Sequence, residues 1–308
     1  MRNQFLNSLF KIAKNEEKAL FIGSDLGVNV LNEMKRQIPK QFFMEGVSEQ
    51  YMIGMSAGLA LEGYRPYLNT IGSFITKRCY EQIYIDICLQ KLPIVIAGNG
   101  GGTVYAPLGP THLNLDDYAL MKNIPNLNVF APCDALEMDS LIVQSINFDC
   151  PSYIRIGKGG EKIVSNLKPK NYSIFKSFKY VDSEKFFIFT TGSMLQTAID
   201  VSLKFKKIGI DLGVVSIPCI KPLDKNILKI IDKIEKVFIL EEHFEIGGLG
   251  SSILDILNKK NPNNLHKVQK FGIPNKFIDK YGSQNELLKY LKLDKENIYK
   301  KIYKEICS

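Results

Sequence analysis

Histidine is scarce in this chain, at three in 308 residues, and tryptophan is absent. The six cysteines, Cys79, Cys88, Cys133, Cys150, Cys219 and Cys307, never form a Cys-x-x-Cys pair. A zinc site draws about four Cys, His or carboxylate ligands at characteristic spacings, so this supply argues against one. Most of the cysteines sit among apolar neighbours, as buried free thiols do, which fits a reducing cytoplasm. No apolar run approaches the ~18–20 residues that a membrane span needs. The amphipathic start, Met1 to Lys11, is too short in its apolar part for a secretion signal and reads as a first helix. Net charge is +8, but the lysines are scattered and form no dense basic stripe, which argues against a nucleic-acid partner. A positive potential of this kind still helps to draw in small anions.

What is present is enough chain for about two domains at ~150 residues each, with 45% apolar residues to fill their cores. Strand-like and helix-like segments alternate. Ala19-Leu-Phe-Ile-Gly23 reads as a first buried strand ending at Ser24-Asp25. Gln50 to Leu61 reads as a helix whose small residues permit close packing. Leu92 to Ala97, Leu127 to Ala131 and Ser152 to Ile156 read as further strands, with a helix from about Ala135. Such alternation predicts a parallel sheet covered by helices on both faces. Ser165 to Lys185 lacks clean periodicity and is placed as a linker over 166–184, separating a domain of 1–165 from one of 185–308. The second series has strands at Phe186, Ile210 and Lys236, and a helix over Met194–Lys206. Gly98-Asn-Gly-Gly-Gly-Thr103 has the wrong spacing for a dinucleotide fingerprint. Gly247-Gly-Leu-Gly250 opens a helix, where plain turn geometry and anion binding are both open readings.

Several motifs follow one another in order. They begin with Val47-Ser48-Glu49-Gln50, the following Ala57-Gly-Leu-Ala60 and Glu62-Gly-Tyr-Arg-Pro-Tyr67. Ser73-Phe-Ile-Thr-Lys-Arg-Cys-Tyr-Glu-Gln82, Gln90-Lys-Leu-Pro-Ile-Val95, Gly109-Pro-Thr-His112, Ala131-Pro-Cys-Asp134 and Pro151-Ser-Tyr-Ile-Arg-Ile-Gly-Lys-Gly159 come next. The second half adds Lys221-Pro-Leu-Asp224, Glu241-Glu-His243 with Gly247-Gly-Leu-Gly-Ser251, and a tail from Phe271 to Ser283. In this order over nearly the whole chain they resemble the transketolase family, which includes transketolase, deoxyxylulose phosphate synthase and the β subunits of 2-oxoacid dehydrogenases. The tail is similar to the synthase branch. The resemblance implies two doubly wound α/β domains, a thiamine diphosphate pyrimidine-binding domain followed by a transketolase C-terminal domain.

The resemblance also implies roles. Glu49 would hydrogen-bond the pyrimidine nitrogen N1′ and set the cofactor's tautomer; read alone, it is a helix-start carboxylate near backbone donors. Phe74 would stack on the pyrimidine, with Tyr80 a second candidate. Asp25 corresponds to a loop near the cofactor, though a strand-end Asp also serves as a simple cap. His112 would contact substrate and move protons. Lys158, Arg155, Lys77 and Arg78 are candidates for holding substrate phosphate, where Arg offers bidentate contacts that Lys does not.

The sequence departs from the family at two substrate positions. Gly100 stands where the family has His or Arg, and Leu108 where it has an acidic residue, which points to an unusual, deoxy or nucleotide-linked sugar. The family's Gly-Asp-Gly signature, which holds Mg²⁺ and the diphosphate, occurs nowhere in the sequence. The expectation is therefore a C-terminal subunit of a split transketolase, contributing no metal ligand itself. A partner subunit would carry the diphosphate domain and Mg²⁺ in an α2β2 assembly. The implied reaction moves a two-carbon ketol unit from a ketose to an aldehyde. The alternatives are a pyruvate-decarboxylating subunit of synthase or dehydrogenase type, and a non-catalytic scaffold that keeps the fold.

Overall fold

The computed structural model describes residues 1–24, 28–157, 159–167 and 172–307. The first half begins with α1 (Arg2–Ala13), β1 (Ala19–Gly23), α2 (Val28–Gln37), β2 (Phe42–Met44), α3 (Glu49–Leu61) and β3 (Arg65–Ile71). It continues with α4 (Gly72–Arg78), a single turn α5 (Tyr80–Gln82) that runs into a π-helical turn over Ile83–Leu89, and β4 (Val95–Asn99). α6 (Asp117–Lys122), β5 (Asn128–Phe130), α7 (Ala135–Ser145) and β6 (Ser152–Ile156) complete it. Parallel pairing gives the spatial order β5-β6-β4-β3-β1-β2.

Period-two alternation divides the core into two faces. Tyr67, Val95, Ala97, Ile154 and Phe21 pack with Phe5, Leu6 and Leu9 of α1 and with Met138 and Leu141 of α7. Leu68, Ile96, Val129 and Tyr153 face the other way, onto Met52 and Ile53 of α3, Ile75 of α4 and Met121 of α6. Asp134 caps α7 by accepting from the Glu137 amide at 3.0 Å, which satisfies one of the free donors at the helix start.

The second half starts with β7 (Phe178–Val181), β8 (Phe186–Thr190), α8 (Met194–Lys206), β9 (Leu212–Ser216) and β10 (Cys219–Lys221). α9 (Asn226–Ile231), β11 (Lys236–Phe244), α10 (Leu249–Lys260), β12 (Val268–Ile273), α11 (Gln284–Tyr290) and α12 (Lys295–Cys307) follow. Its sheet runs β12-β11-β8-β9-β7, with only β7 antiparallel among these pairs. α8 turns Leu195, Ala198, Val201 and Phe205 onto Ile188, Val214 and Phe238, the spacing that a 3.6-residue period sets.

Two features differ from the sequence-based division. β7 lies inside the stretch read as linker: Phe178 and Val181 pair with Ser216 and Val214, so the sheet edge recruits residues whose pattern is too short to stand out. β10 belongs to the second half by chain order yet adds antiparallel to β5, making the first sheet seven-stranded. The two halves thus share a strand as well as a packed junction. Of the six cysteines, Cys79, Cys88, Cys133 and Cys219 are buried, and all six are free thiols. Among the described residues no helix is long and apolar enough to cross a membrane.

Candidate active site

α3 starts at Glu49, directly after the strand–loop segment that follows β2. The Glu49 side chain is 2% exposed although the helix start would let it reach water. Two observations account for a carboxylate there. Arg78 Nη1 donates to Glu49 Oε2 at 2.6 Å, and Thr70 Oγ1, itself bonded to Ser24 Oγ at 3.0 Å, makes a long 3.5 Å contact with Oε1. A buried charge needs partners of this kind, and Oε1 retains capacity for a closer donor. The proximity of Glu49 adds to burial in pushing the Cys79 thiol up to about 12.

α4 follows β3 at once and carries Phe74, half-buried, four residues before Arg78. That spacing puts both side chains on one helix face, and the Arg78 guanidinium lies 4.7 Å from the Phe74 ring centroid. The His112 ring meets Phe74 edge-on at 5.1 Å and Tyr105 at 6.5 Å. Its Nδ1 pairs with Thr111 Oγ1 at 2.9 Å. The turn that carries His112 is set by Gly109, whose φ of +77° is a conformation that residues with a Cβ rarely adopt. Atoms of Tyr281, from the loop after β12, occupy the place of its Cβ. Lys77 stands at the rim, paired with Asp116 at 2.6 Å.

The structure therefore groups Glu49, Phe74, Arg78 and His112, with Lys77 nearby. Tyr80 points elsewhere: its ring neighbours Tyr84 at 6.4 Å, and it lines a cleft of about 660 Å³ between the halves, with Lys122, Lys221 and Ile256. Asp25 and Lys158 lie outside the described residues.

Arg155 is placed differently from the expectation of a phosphate contact. It is buried, and each of its three guanidinium nitrogens already serves the protein. Nε donates to Asp117 at 2.8 Å, Nη1 to the Glu242 carbonyl at 2.7 Å, and Nη2 to the Asn114 carbonyl at 2.9 Å and to Asp117. Its guanidinium also stacks 3.8 Å from the Tyr118 ring centroid. Burial acts to raise the Asp117 carboxyl, but Arg155 outweighs it and holds the group below the ordinary carboxylate range. Arg155 fastens the two halves together.

The glycine clusters also have structural occupants. A Cβ at Gly101 would strike Arg155, one at Gly102 would strike Glu242, and one at Gly100 would strike the Tyr105 ring. Glu242 draws the same loop in by accepting from the Thr103 amide at 2.8 Å and from Gln284 at 3.0 Å. The start of α10 is met by a side chain of the same protein. The amides of Leu249 and Gly250 donate to the Glu241 carboxylate at 2.6 and 3.0 Å, so the chain's own acid fills that helix N-terminus.

Sequence reasoning missed Thr70, Ser24, Asp117 and Tyr281 around this site. An arginine inside the buried run Tyr153-Ile-Arg-Ile156 was a readable signal that a buried acid must face it.

Comparison with known proteins gives consistent matches. The family description of the transketolase pyrimidine binding domain matches residues 1–160, and that of the transketolase C-terminal domain matches 179–298. The chain is 36% identical over 310 residues to a 1-deoxy-D-xylulose-5-phosphate synthase of Caldanaerobacter subterraneus subsp. tengcongensis, covering 98% of this chain but 49% of that protein. It thus spans about half the length of that relative. It is 28% identical over 301 residues to one of the subunits of the apulose-4-phosphate transketolase of Phocaeicola vulgatus, covering 97% of this chain and 95% of that one. A solved chain described as a split gene transketolase in an inactive beta4 tetramer superposes with a TM-score of 0.86 at 26% identity, over 98% of this chain and 96% of the other.

Proposed function

This chain belongs to the transketolase family, carrying its pyrimidine-binding and C-terminal domains, and on that basis we propose that it is one subunit of a thiamine diphosphate-dependent transketolase. The reaction is transfer of a two-carbon ketol unit from a ketose to an aldehyde. The observation that carries this reading is the buried Glu49 carboxylate gathered with the Phe74 and His112 rings.

These residues fit an aminopyrimidine, because Glu49 Oε1 makes only a long 3.5 Å contact and the Phe74 ring, now against Arg78, lies beside the carboxylate. When bound, thiamine diphosphate would supply the nucleophilic carbon for the C–C bond exchange. Glu49 holds a proton at the pyrimidine nitrogen N1′. Phe74 orients the ring through an offset contact worth about 0.5–1.5 kcal/mol. His112, on its surface turn, gives or takes a proton at a substrate hydroxyl. Gly100 and Leu108, where the family has His or Arg and an acidic residue, favour a substrate other than an ordinary sugar phosphate, such as a deoxy or nucleotide-linked sugar.

Mg²⁺ and the diphosphate are assigned to a partner chain bearing the Gly-Asp-Gly signature. Among the described residues no group of three or more His, Cys, Asp and Glu is placed to hold a metal. The near full-length matches to one transketolase subunit and to a split gene transketolase support this division. Assembly as two copies of each chain would use the outer face of α3. There Tyr51 and Leu61 are exposed, and a Cβ at Gly54 or Gly58 meets nothing within 4 Å.

The test is to co-express the chain with a diphosphate-domain partner and titrate thiamine diphosphate by calorimetry, with and without Mg²⁺. Binding confined to the complex, and lost with Glu49→Ala while the complex persists, is the expected result. A stable complex that binds no cofactor refutes the reading. A second reading, a pyruvate-decarboxylating synthase subunit, is favoured by the 36% identity to a synthase. Release of CO₂ from pyruvate, against a requirement for a ketose donor, separates the two.

A further inference from the structure

We infer that Arg78 is a displaceable plug that fills the pyrimidine pocket of the free chain. This rests on the reading of Glu49, Phe74 and His112 as that pocket, and it concerns what keeps the pocket closed before a ligand arrives.

Two contacts define the subsite: a donor to the Glu49 carboxylate and a flat group against Phe74. Arg78 makes both. Its Nη1 lies 2.6 Å from Glu49 Oε2, and its guanidinium carbon lies 4.7 Å from the Phe74 centroid. A guanidinium is planar, cationic and rich in N–H donors, so it both stacks and donates, as an aminopyrimidine does. One side chain thus covers the ring and holds one carboxylate oxygen, Oε2, leaving Oε1 with only the long Thr70 contact.

The pair is asymmetric. Glu49 is 2% exposed and Arg78 43%. The Arg78 backbone is tied to α3, its carbonyl accepting from Gln50 Nε2 at 3.2 Å. Only the side chain is free to leave, and it can swing into water at little cost because nearly half of it is already there. Glu49 has no such route. Removing its cation without a replacement leaves an unpaired buried carboxylate, which is strongly unfavourable. Departure of Arg78 and arrival of the ligand with one proton from water, shared between Glu49 and the ring nitrogen, are therefore coupled: the pocket exchanges one planar donor for another. A Lys at 78 would pair with Glu49 but would not present a flat stacking group, so it would compete less well.

The experiment uses the full free chain and 4-amino-2-methylpyrimidine, a probe with no diphosphate and hence no need of a partner domain. Affinity is read by ligand-observed NMR, with circular dichroism confirming the fold of each variant. Arg78→Ala is expected to bind the probe at least tenfold more tightly than the wild type, Arg78→Lys between the two, and Glu49→Gln/Arg78→Ala to lose the gain. If Arg78→Ala binds no more tightly while binding still depends on Glu49, the plug is wrong and the pocket assignment stands. If no form binds the probe in a Glu49-dependent way, both are wrong.

Discussion

Glu241 and His243 stand two residues apart on β11, and burial drives their titrations in opposite directions. Burial pushes the Glu241 carboxyl up to about 7, although the Leu249 and Gly250 amides oppose this. Burial, with the nearby positive charge of Arg155, pushes the His243 imidazole down to about 4. The His243 ring is held by the Phe244 carbonyl at 2.7 Å and the Ala119 amide at 3.3 Å, and it stacks on Tyr118 at 5.0 Å.

The signs of the two linkages are opposed. Glu241, raised on folding, contributes stability that is complete below its unfolded value and is lost as pH climbs through about 7. His243, depressed on folding, contributes stability that is complete above its unfolded value and is lost as pH falls through about 4. Each effect is on the order of 3 kcal/mol, and they nearly cancel between about pH 4.5 and 6.5. Wild-type unfolding free energy should be close to level there. Glu241→Gln should lose stability on acidification through that window, and His243→Gln should gain it. Urea titrations at half-unit pH steps provide the check, and parallel profiles for all three proteins would contradict it.

Arg155 and Asp117 form the buried charge pair at the junction. Arg155→Met leaves Asp117 buried without a cation and should cost about 3–5 kcal/mol. Arg155→Met/Asp117→Leu should recover part of that loss, because no charge is stranded. The denaturant midpoints of the two variants decide the matter; a double variant no more stable than Arg155→Met would count against it.

Gly109 combines a φ of +77° and ψ of −169° with the Tyr281 ring at its Cβ position. Gly109→Ala forces a conformation that is nearly reserved for glycine, at about 1–3 kcal/mol, and expels Tyr281. A lower melting temperature and faster proteolysis after Tyr281 are expected. Unchanged values in both would show that the turn has slack.

The outer face of α3 yields a prediction with two signs. Gly58→Leu adds a side chain into open space and replaces a poor helix former, so the free chain should be as stable or more so, by up to about 1 kcal/mol. The proposed assembly, which needs that face bare, should be lost. Sedimentation velocity of the co-expressed complex reads the second effect and thermal melting the first.

Much of the architecture was readable from short cues. The Ser48-Glu49 start of α3, the Met194–Lys206 helix and the buried strands around Ile22, Ile96 and Ile154 all carry patterns that local physics enforces. β7 and β10 did not. Cys219-Ile220-Lys221 is a very short strand, and its pairing with Phe130 is decided by a neighbour far away in the chain. The site was legible in its acid and its rings, since each belongs to a compact motif. Arg78 was readable as a cation near the site, but its partner was not, because the approach of α4 to the start of α3 is a product of packing. Glu241 reads as the polar end of an apolar strand; only the fold reveals that a helix begins at its carboxylate.

β10 has a consequence for how this protein comes to be made. On the ribosome, the strand that finishes the first sheet leaves the exit tunnel only after β8, α8 and β9 have been synthesised. Until then β5 presents a bare edge, the kind of template on which neighbouring chains pair. A gene cut at the apparent boundary, between the two domain matches, would make that transient edge permanent. The isolated first half should therefore be prone to aggregate.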